Sequence, residues 1–132
     1  MIQIAVMGYG TVGSGVVEVL STNQASIDKR VGEEVRVKYV LDLRDFPGDP
    51  VESVLVHDFE TIVNEPEVKV VVEVMGGVEP AYTFVKKALL AGKNVCTSNK
   101  ALVADKGREL MDIAREKNIN FLFEARDRKS VV

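Results

Sequence analysis

Apolar and polar positions along the chain follow two alternating patterns, which together predict strands separated by helices. Ile2–Met7 is a mostly apolar run, as expected of a parallel strand covered on both faces. Thr11–Leu20 carries its apolar residues at helical spacing, and Val35–Leu41 alternates with period two, which predicts a second strand. The polar segment between them, residues 21–34, fits either an extension of the helix or a loop.

The rest of the chain continues this alternation. Asp42–His57 carries two prolines and a glycine, which predicts a loop, and Asp58 is placed as the N-cap of a short helix reaching Asn64. The remaining predicted elements are a valine-rich strand over Val68–Val74, a helix from Pro80 to Gly92, a strand over Asn94–Thr97, a helix over Asn99–Lys117 and a strand over Asn120–Glu124. This order predicts an α/β fold: a Rossmann-type doubly wound, mostly parallel sheet with helices on both faces.

The turn between the first strand and the first helix has the pattern GxGxxG. It consists of Gly8, Tyr9, Gly10, Thr11, Val12 and Gly13. In a dinucleotide-binding turn the first glycine permits the tight turn, the second lets the backbone approach a pyrophosphate, and the third lets the helix pack closely on the strand. The helix N-terminus adds unpaired N–H groups and the positive end of its dipole. We therefore expect residues Gly8 to Gly13 to bind a dinucleotide.

Composition narrows the class of protein. The 132 residues suit one domain, and 46% hydrophobic with 28% charged residues is ordinary for a soluble globular protein. A net charge of −3 gives no footprint for nucleic acid or an anionic membrane surface, and no apolar run approaches the roughly 20 residues that span a bilayer. The single cysteine, Cys96, excludes an internal disulfide and fits a reducing compartment, so we expect a cytoplasmic protein.

Candidate cofactor-binding residues follow the second predicted strand. Asp42 can accept hydrogen bonds from adenosine ribose hydroxyls, which favours NAD, whereas Arg44 can pair with the 2′-phosphate of NADP. Because the chain carries both, both cofactors stay open, with a slight preference for NADP. A solvated loop without cofactor contact is the alternative for either residue.

Two more segments follow strands at the edge of the sheet where ligands bind in this fold. Met75, Gly76 and Gly77 follow the valine-rich strand and suggest either a close approach to the nicotinamide side of a cofactor or a tight turn. Lys100 stands at a helix start, where it opposes the helix dipole, and locally unfavourable residues are often functional. Partial burial would help its ammonium to give up a proton near neutral pH. An ordinary surface lysine is the alternative.

Four segments in order, MGYGTVGSGV, EVMGGVEPAY, TSNKALVA and FLFEA, resemble the nucleotide-binding region of homoserine dehydrogenase over residues 1 to about 125. That resemblance implies an NAD(P)-dependent oxidoreductase that interconverts L-aspartate 4-semialdehyde and L-homoserine, on the way to threonine, isoleucine and methionine. It also implies a small-molecule cofactor and substrate as partners, and the net charge favours neither nucleic acid nor a membrane as a partner. A dihydrodipicolinate reductase relative is disfavoured by TSNKA and EVMGG.

The resemblance also implies roles for individual residues. Gly8 to Gly13 would hold the pyrophosphate, Arg44 the 2′-phosphate, and Gly76 with Gly77 would lie by the nicotinamide. Lys100 matches one of two active-site lysines of the family. The residues beside cofactor and substrate would be Thr97, Ser98 and Asn99, and Glu124 matches the side-chain ligand of a monovalent cation, sodium in the family.

The sequence departs from the family pattern after Ala125. The family continues with a small-residue loop and then the substrate region, whereas residues 126–132 are RDRKSVV. We therefore expect an NAD(P)-binding Rossmann domain over 1–125, an unmatched charged tail over 126–132, and no turnover by this chain alone. A truncated fragment, an altered reading frame and a shortened natural product all stay open as the origin of the tail.

Two further expectations follow from that departure. An apolar face left bare by the absent region would favour self-association. A non-catalytic module that binds or senses nicotinamide nucleotides through a partner chain is the alternative function.

Overall fold

The computed structural model of the chain describes residues 2–22, 29, 32 and 34–123, and these contain one parallel sheet. Its strands are β1 (Ile2–Met7), β2 (Val35–Leu41), β3 (Leu55–Val56), β4 (Val68–Glu73), β5 (Asn94–Thr97) and β6 (Phe121–Phe123). Their order across the sheet is β3-β2-β1-β4-β5-β6, and every neighbouring pair is parallel. This is the strand order of the doubly wound dinucleotide-binding fold, so the expected Rossmann-type architecture is confirmed.

Alternation along β1 explains why its apolar run is nearly continuous. Ile4 and Val6 enter a core cluster that includes Val16 and Val17 of the first helix. Ala5 and Met7 enter the cluster on the opposite face of the sheet. Successive side chains of a strand point to opposite faces, so a strand covered on both sides needs apolar residues at almost every position.

Four α-helices of the described residues flank the sheet. They are α1 (Thr11–Thr22), α2 (Phe59–Val63), α3 (Ala81–Leu90) and α4 (Lys100–Lys117). The expected N-cap of α2 is present, because the Asp58 side chain accepts a hydrogen bond from the backbone N–H of Glu60. Asn99 caps α4 in the same way through the N–H of Leu102, and Asn118 ends that helix in the left-handed conformation, with φ at 59°.

The loop expected over Asp42–His57 is partly wrong. A 3₁₀ helix covers Pro50–Val54 and the short strand β3 follows it, pairing with the end of β2. Asp49 caps the 3₁₀ helix by accepting from the N–H of Val51 at 2.9 Å. A two-residue strand is too short for a period of two to show in a sequence, so turn residues dominated the pattern here.

The last strand begins one residue later than expected, at Phe121, and Glu124 lies outside the described residues. This edge strand exposes Leu122 (57%) and Phe123 (40%). Self-association through such a face stays a prediction.

In the described parts of the chain, no helix combines the length and apolarity needed to cross a membrane. Burial raises the pKa of the Cys96 thiol, which disfavours the thiolate that a nucleophilic cysteine needs.

Lys93 is buried between α3 and β5, and its ammonium tethers the start of β4. Its Nζ donates to the carbonyl oxygens of Glu65 at 2.7 Å and Val68 at 2.8 Å. Burial lowers its pKa, Lys69 lowers it further, and Glu65 opposes both. We expect Lys93→Met to reduce the free energy of unfolding by about 1–2 kcal/mol, because two carbonyl oxygens lose their donor.

Urea denaturation tests this expectation, with Lys87→Met as the matched control. Lys87 forms an exposed ion pair with Glu60 and is expected to matter by no more than about 0.5 kcal/mol. Equal stabilities of the two variants would show that the buried tether contributes nothing.

Candidate cofactor-binding site

The segments that follow β1, β2 and β4, called connections below, meet at the carboxyl edge of the sheet. The strand order places the ends of these three strands side by side. Gly8 N–H donates to the Leu41 carbonyl at 2.8 Å, and Val74 N–H donates to the Met7 carbonyl at 3.1 Å. A cleft of about 360 Å³ lies between these connections. It is lined by Gly8, Tyr9, Gly10, Leu41, Asp42, Leu43, Arg44, Val74, Met75, Pro80 and Phe84. Its size suits a small-molecule ligand, and its position is the one at which this fold binds nucleotides.

The glycine turn has the geometry expected for close backbone approach. Gly8 adopts a φ of 105°, which side-chain-bearing residues rarely reach. A Cβ built on Gly13 would overlap the Gly8 carbonyl oxygen, so the close packing of α1 on the end of β1 is present as expected. A Cβ on Gly10 would meet nothing within 4 Å, which leaves open space above the turn. Thr11 and Val12 begin α1, and their side chains lie outside the described part of the structure.

Asp42 joins the glycine turn to the connection after β2. Its Oδ2 accepts from the backbone N–H of Tyr9 at 2.9 Å and from the Arg44 guanidinium at 2.9 Å. Its Oδ1 accepts from the backbone N–H and the Nε of Arg44, both at 3.0 Å. Four N–H donors therefore occupy about as many acceptor positions as a carboxylate offers. Since Asp42 is tied to both connections, it fixes their relative position.

The charge of Asp42 is held by this pairing. The guanidinium of Arg44 keeps the pKa of the Asp42 carboxyl well below its usual range, although burial opposes the shift. Backbone N–H bonds from Arg44 and Tyr9 lower this pKa further. The Asp42 side chain is 10% exposed and that of Arg44 is 63% exposed, with its guanidinium carbon 5.1 Å from the centroid of Phe46. Arg44 therefore lines the cleft with a largely exposed side chain, and only its Nε and one terminal nitrogen bond the Asp42 carboxylate.

Tyr9 fastens the 3₁₀ segment to the glycine turn. Its hydroxyl donates to Asp49 Oδ1 at 3.1 Å, and its ring meets that of Phe46 edge to face at 4.9 Å between centroids. Burial, followed by the hydrogen bond to Asp49, raises the pKa of Tyr9. Tyr9 thus lines the cleft, and its hydroxyl holds the neighbouring 3₁₀ segment through Asp49.

The connection after β4 lies against the connection after β5. Gly76 and Gly77 have φ values of 85° and 75°, so this turn uses the conformations that glycine allows. Asn99 Nδ2 donates to the Gly77 carbonyl at 2.6 Å, and the N–H of Ser98 donates to the Glu73 carbonyl at 3.3 Å. Both glycine alternatives remain, because this geometry is a tight turn that also leaves open backbone beside the cleft.

The sequence pattern did not single out Glu73, although the structure places it beneath these connections. It is the last residue of β4, it is fully buried, and its carboxylate oxygens contact Thr97, Asn99 and Met75. The one available signal was a carboxylate within the valine run Val68–Val74.

The structure divides the predicted site residues. Those that line the cleft are Gly8, Tyr9, Gly10, Arg44 and Met75, and Gly13, Gly76 and Gly77 are not among its lining residues. Thr97 ends β5, and Ser98, Asn99 and Lys100 follow it into the start of α4. Thr97 and Asn99 are buried and Ser98 is exposed. Lys100 is exposed on the first turn of α4. The partial burial that would help it to give up a proton is therefore not found among the described residues. Those residues also hold no cluster of three or more potential metal ligands, and Glu124 is not among them.

Comparison with known proteins settles the family. A family model described as the NAD binding domain of homoserine dehydrogenase matches residues 8–124. The chain belongs to this family.

Homoserine dehydrogenases from several bacteria are similar to nearly all of the chain. Those of Lactococcus lactis and Bacillus subtilis are 37% and 38% identical to it, each over 94% of the chain. A solved homoserine dehydrogenase from S. aureus superposes with a TM-score of 0.85 at 35% identity over 94% of the chain. The chain spans 30% and 29% of the length of the two curated relatives and 32% of the S. aureus structure. The similarity is therefore to the NAD-binding part of these enzymes.

Proposed function

We propose that this chain is the nucleotide-binding part of an NAD(P)-dependent homoserine dehydrogenase, with residues 1–125 forming the binding domain and 126–132 a tail. The reaction proposed for the whole enzyme interconverts L-aspartate 4-semialdehyde and L-homoserine. The observation that carries the proposal is the cleft at the carboxyl edge of the sheet, with a family-matched glycine turn beneath it.

The residues fit a bound dinucleotide. The open space above Gly10 and the N–H groups at the start of α1 suit a pyrophosphate. The Gly76–Gly77 turn and the Thr97–Asn99 strip suit the nicotinamide half, since they follow β4 and β5 at the same edge. Arg44 suits the adenosine half, because it lines the cleft beside the glycine turn.

The arrangement around Asp42 supports NADP over NAD. A ribose 2′-hydroxyl would need a free acceptor position on Asp42, and the four N–H donors already occupy that carboxylate. Arg44 uses Nε and one terminal nitrogen on Asp42, so other N–H groups of the guanidinium can meet a phosphate. One similar solved structure, at 27% identity and a TM-score of 0.75, is a hyperthermophilic archaeal homoserine dehydrogenase mutant in complex with NADPH.

The Gly76–Gly77 turn and the Thr97–Asn99 strip would hold a nicotinamide, which would supply the hydride for reduction of the semialdehyde at its carbonyl carbon. Lys100 donates a proton to the carbonyl oxygen as charge develops there. The Gly76–Gly77 turn and Asn99 orient the reacting groups, which supplies much of the rate gain. The chain spans about a third of its relatives, and Lys100 stays exposed, so we expect binding without measurable turnover of the semialdehyde by residues 1–132 alone.

Two parts of the proposal rest on the sequence. A monovalent cation at Glu124 follows from the family resemblance, and Glu124 lies outside the described residues. A cytoplasmic location follows from the single cysteine.

Calorimetric titration of the chain with NADPH and with NADH tests the cofactor proposal. We expect NADPH to bind at least about tenfold more tightly, since one charge-assisted bond to phosphate contributes roughly that factor. Arg44→Leu should remove this difference. It should leave NADH binding unchanged or improved, because Asp42 then regains acceptor positions.

Arg108→Leu is the matched control, because Arg108 is an exposed arginine of α4 that does not line the cleft. Loss of NADPH affinity in both variants, or in neither, would refute the role of Arg44. Rapid semialdehyde reduction by the isolated chain would refute the expected lack of turnover.

A further inference from the structure

A buried carboxylate lies beneath the two connections that the proposed function assigns to the nicotinamide half. Glu73 ends β4 and is 0% exposed. Its Oε1 accepts from the Thr97 hydroxyl, and its Oε2 accepts from the N–H of Met75 at 2.9 Å and from Asn99 Nδ2 at 3.2 Å. The glycine turn Gly8–Gly13 and the Asp42–Arg44 pair make none of these contacts.

These hydrogen bonds couple elements that are far apart in the sequence. Met75 starts the turn that contains Gly76 and Gly77, whereas Thr97 ends β5 and Asn99 caps α4. Asn99 completes the link by donating to the Gly77 carbonyl at 2.6 Å while its Oδ1 accepts from the N–H of Leu102. The Glu73 side chain, together with Asn99, therefore fixes the Gly76–Gly77 turn relative to Lys100, the first residue of α4.

Fold stability alone gives little reason for a carboxylate at this point. Burying a carboxyl group costs free energy that its hydrogen bonds at best offset, and the other buried positions of β4 are valines that pack without that cost. What the carboxylate adds over a valine is orientation of the two connections. Binding sites depend on such supporting contacts to hold their contact groups in place.

We propose that Glu73 is a positioning residue for the nicotinamide half of the cofactor, acting through Thr97, Asn99 and the Gly76–Gly77 turn. This proposal rests on the proposed function. It distinguishes two halves of the site: Glu73 serves the nicotinamide half, and the Asp42–Arg44 pair serves the adenosine half.

The test compares two ligands on the 132-residue chain. NADPH occupies both halves, and adenosine 2′,5′-bisphosphate occupies only the adenosine half. Calorimetry measures both affinities, and the fluorescence of the reduced nicotinamide reports the surroundings of its ring. We expect the wild-type chain to bind NADPH more tightly than the bisphosphate and to enhance the nicotinamide fluorescence.

Glu73→Met keeps the length of the side chain and removes its acceptors. We expect it to weaken NADPH binding by about tenfold and to abolish the fluorescence enhancement, while the bisphosphate affinity stays within about twofold. Glu73→Gln should restore NADPH binding to within about threefold of wild type. The amide oxygen can accept from Met75 and Asn99, and the amide nitrogen can donate to the Thr97 hydroxyl.

The outcomes separate the two proposals. Equal weakening of both ligands by Glu73→Met would assign Glu73 to the fold alone, and unchanged NADPH binding or equal wild-type affinities would also overturn the positioning role. If Glu73→Met does not fold, Thr97→Val decides, because it cuts the link at Oε1 with little change of shape and should weaken NADPH selectively. A wild-type chain that binds neither ligand would refute the proposed function itself.

Discussion

Replacing Gly13 by alanine is expected to cost the chain about 3 kcal/mol or more of its free energy of unfolding. The added methyl group would overlap the carbonyl oxygen of Gly8, and 3.4 Å away it would also meet Val74. The first obstacle is backbone, so no change of side-chain rotamer relieves it. Either α1 moves away from the end of β1 or the turn at Gly8 distorts, and both changes disrupt the proposed pyrophosphate site.

Gly15→Ala is the matched control for this variant. Gly15 lies in the same helix, and a Cβ there meets nothing within 4 Å. Alanine is the better helix former, so this change should be neutral or stabilise by up to about 1 kcal/mol. Urea denaturation compares the two variants. A Gly13→Ala protein as stable as Gly15→Ala would contradict the close packing of α1 on β1.

Asp42→Asn is expected to reduce the free energy of unfolding by about 2 kcal/mol and to weaken NADPH binding by about tenfold. Asparagine has the same shape but presents an NH₂ group to donors that need an acceptor. In one orientation it opposes the N–H of Tyr9, and in the other it opposes the N–H and Nε of Arg44. The expected loss of stability is modest because the Arg44 side chain is 63% exposed, so water screens the ion pair.

The contribution of Asp42 to stability should depend on pH in a defined direction. Its pKa is lowered in the folded state, so the folded protein holds fewer protons on this group than the unfolded chain. The contribution is then fully present above the unfolded-state pKa of about 3.9, and it is lost as the pH falls below that value.

Denaturation of wild type and Asp42→Asn at pH 6 and at pH 3 checks the sign. The difference between the two proteins should shrink at pH 3. Leu43→Asn, at an exposed position next to Asp42, is the control and should show no such trend. A difference that grows on acidification would contradict the pairing of Asp42 with Arg44.

Local patterns were sufficient to predict much of the fold. The apolar run of β1 and the GxGxxG turn define a βα unit through short-range spacing, and the structure has that unit with its close contact between Gly13 and Gly8. The N-cap at Asp58 is likewise a local signal, because the capping side chain and the N–H that it accepts from are two residues apart.

The features that the sequence could not predict depend on contacts between distant residues. Asp42 accepts from Tyr9, 33 positions away, so the way it ties the Gly8–Gly13 turn to the segment after β2 is not visible in the local sequence. Glu73 accepts from Thr97, 24 positions away, so this contact could not be predicted from the valine run that contains Glu73. Strand β3 has two residues, too few for any period to show, and its existence follows from pairing with β2.

The site showed the same division. A position directly after a strand predicts that a residue lies at the ligand-binding edge of the sheet. The topology brings five such residues to one cleft: Gly8, Tyr9, Gly10, Arg44 and Met75. The surroundings of Lys100 were not predictable, because burial depends on which segments pack over a helix start. In the described residues nothing covers it sufficiently to bury it.

Mapping of NADPH binding by amide chemical shifts tests the central claim most directly, namely that the carboxyl edge of the sheet holds a nicotinamide dinucleotide. Titration of the ¹⁵N-labelled chain should give saturable shifts. The largest are expected at the amides of Gly8, Gly10 and Gly13, followed by those of Arg44 and Gly76. No saturable shift, or shifts confined to the outer surface of α3 and α4, would contradict the claim.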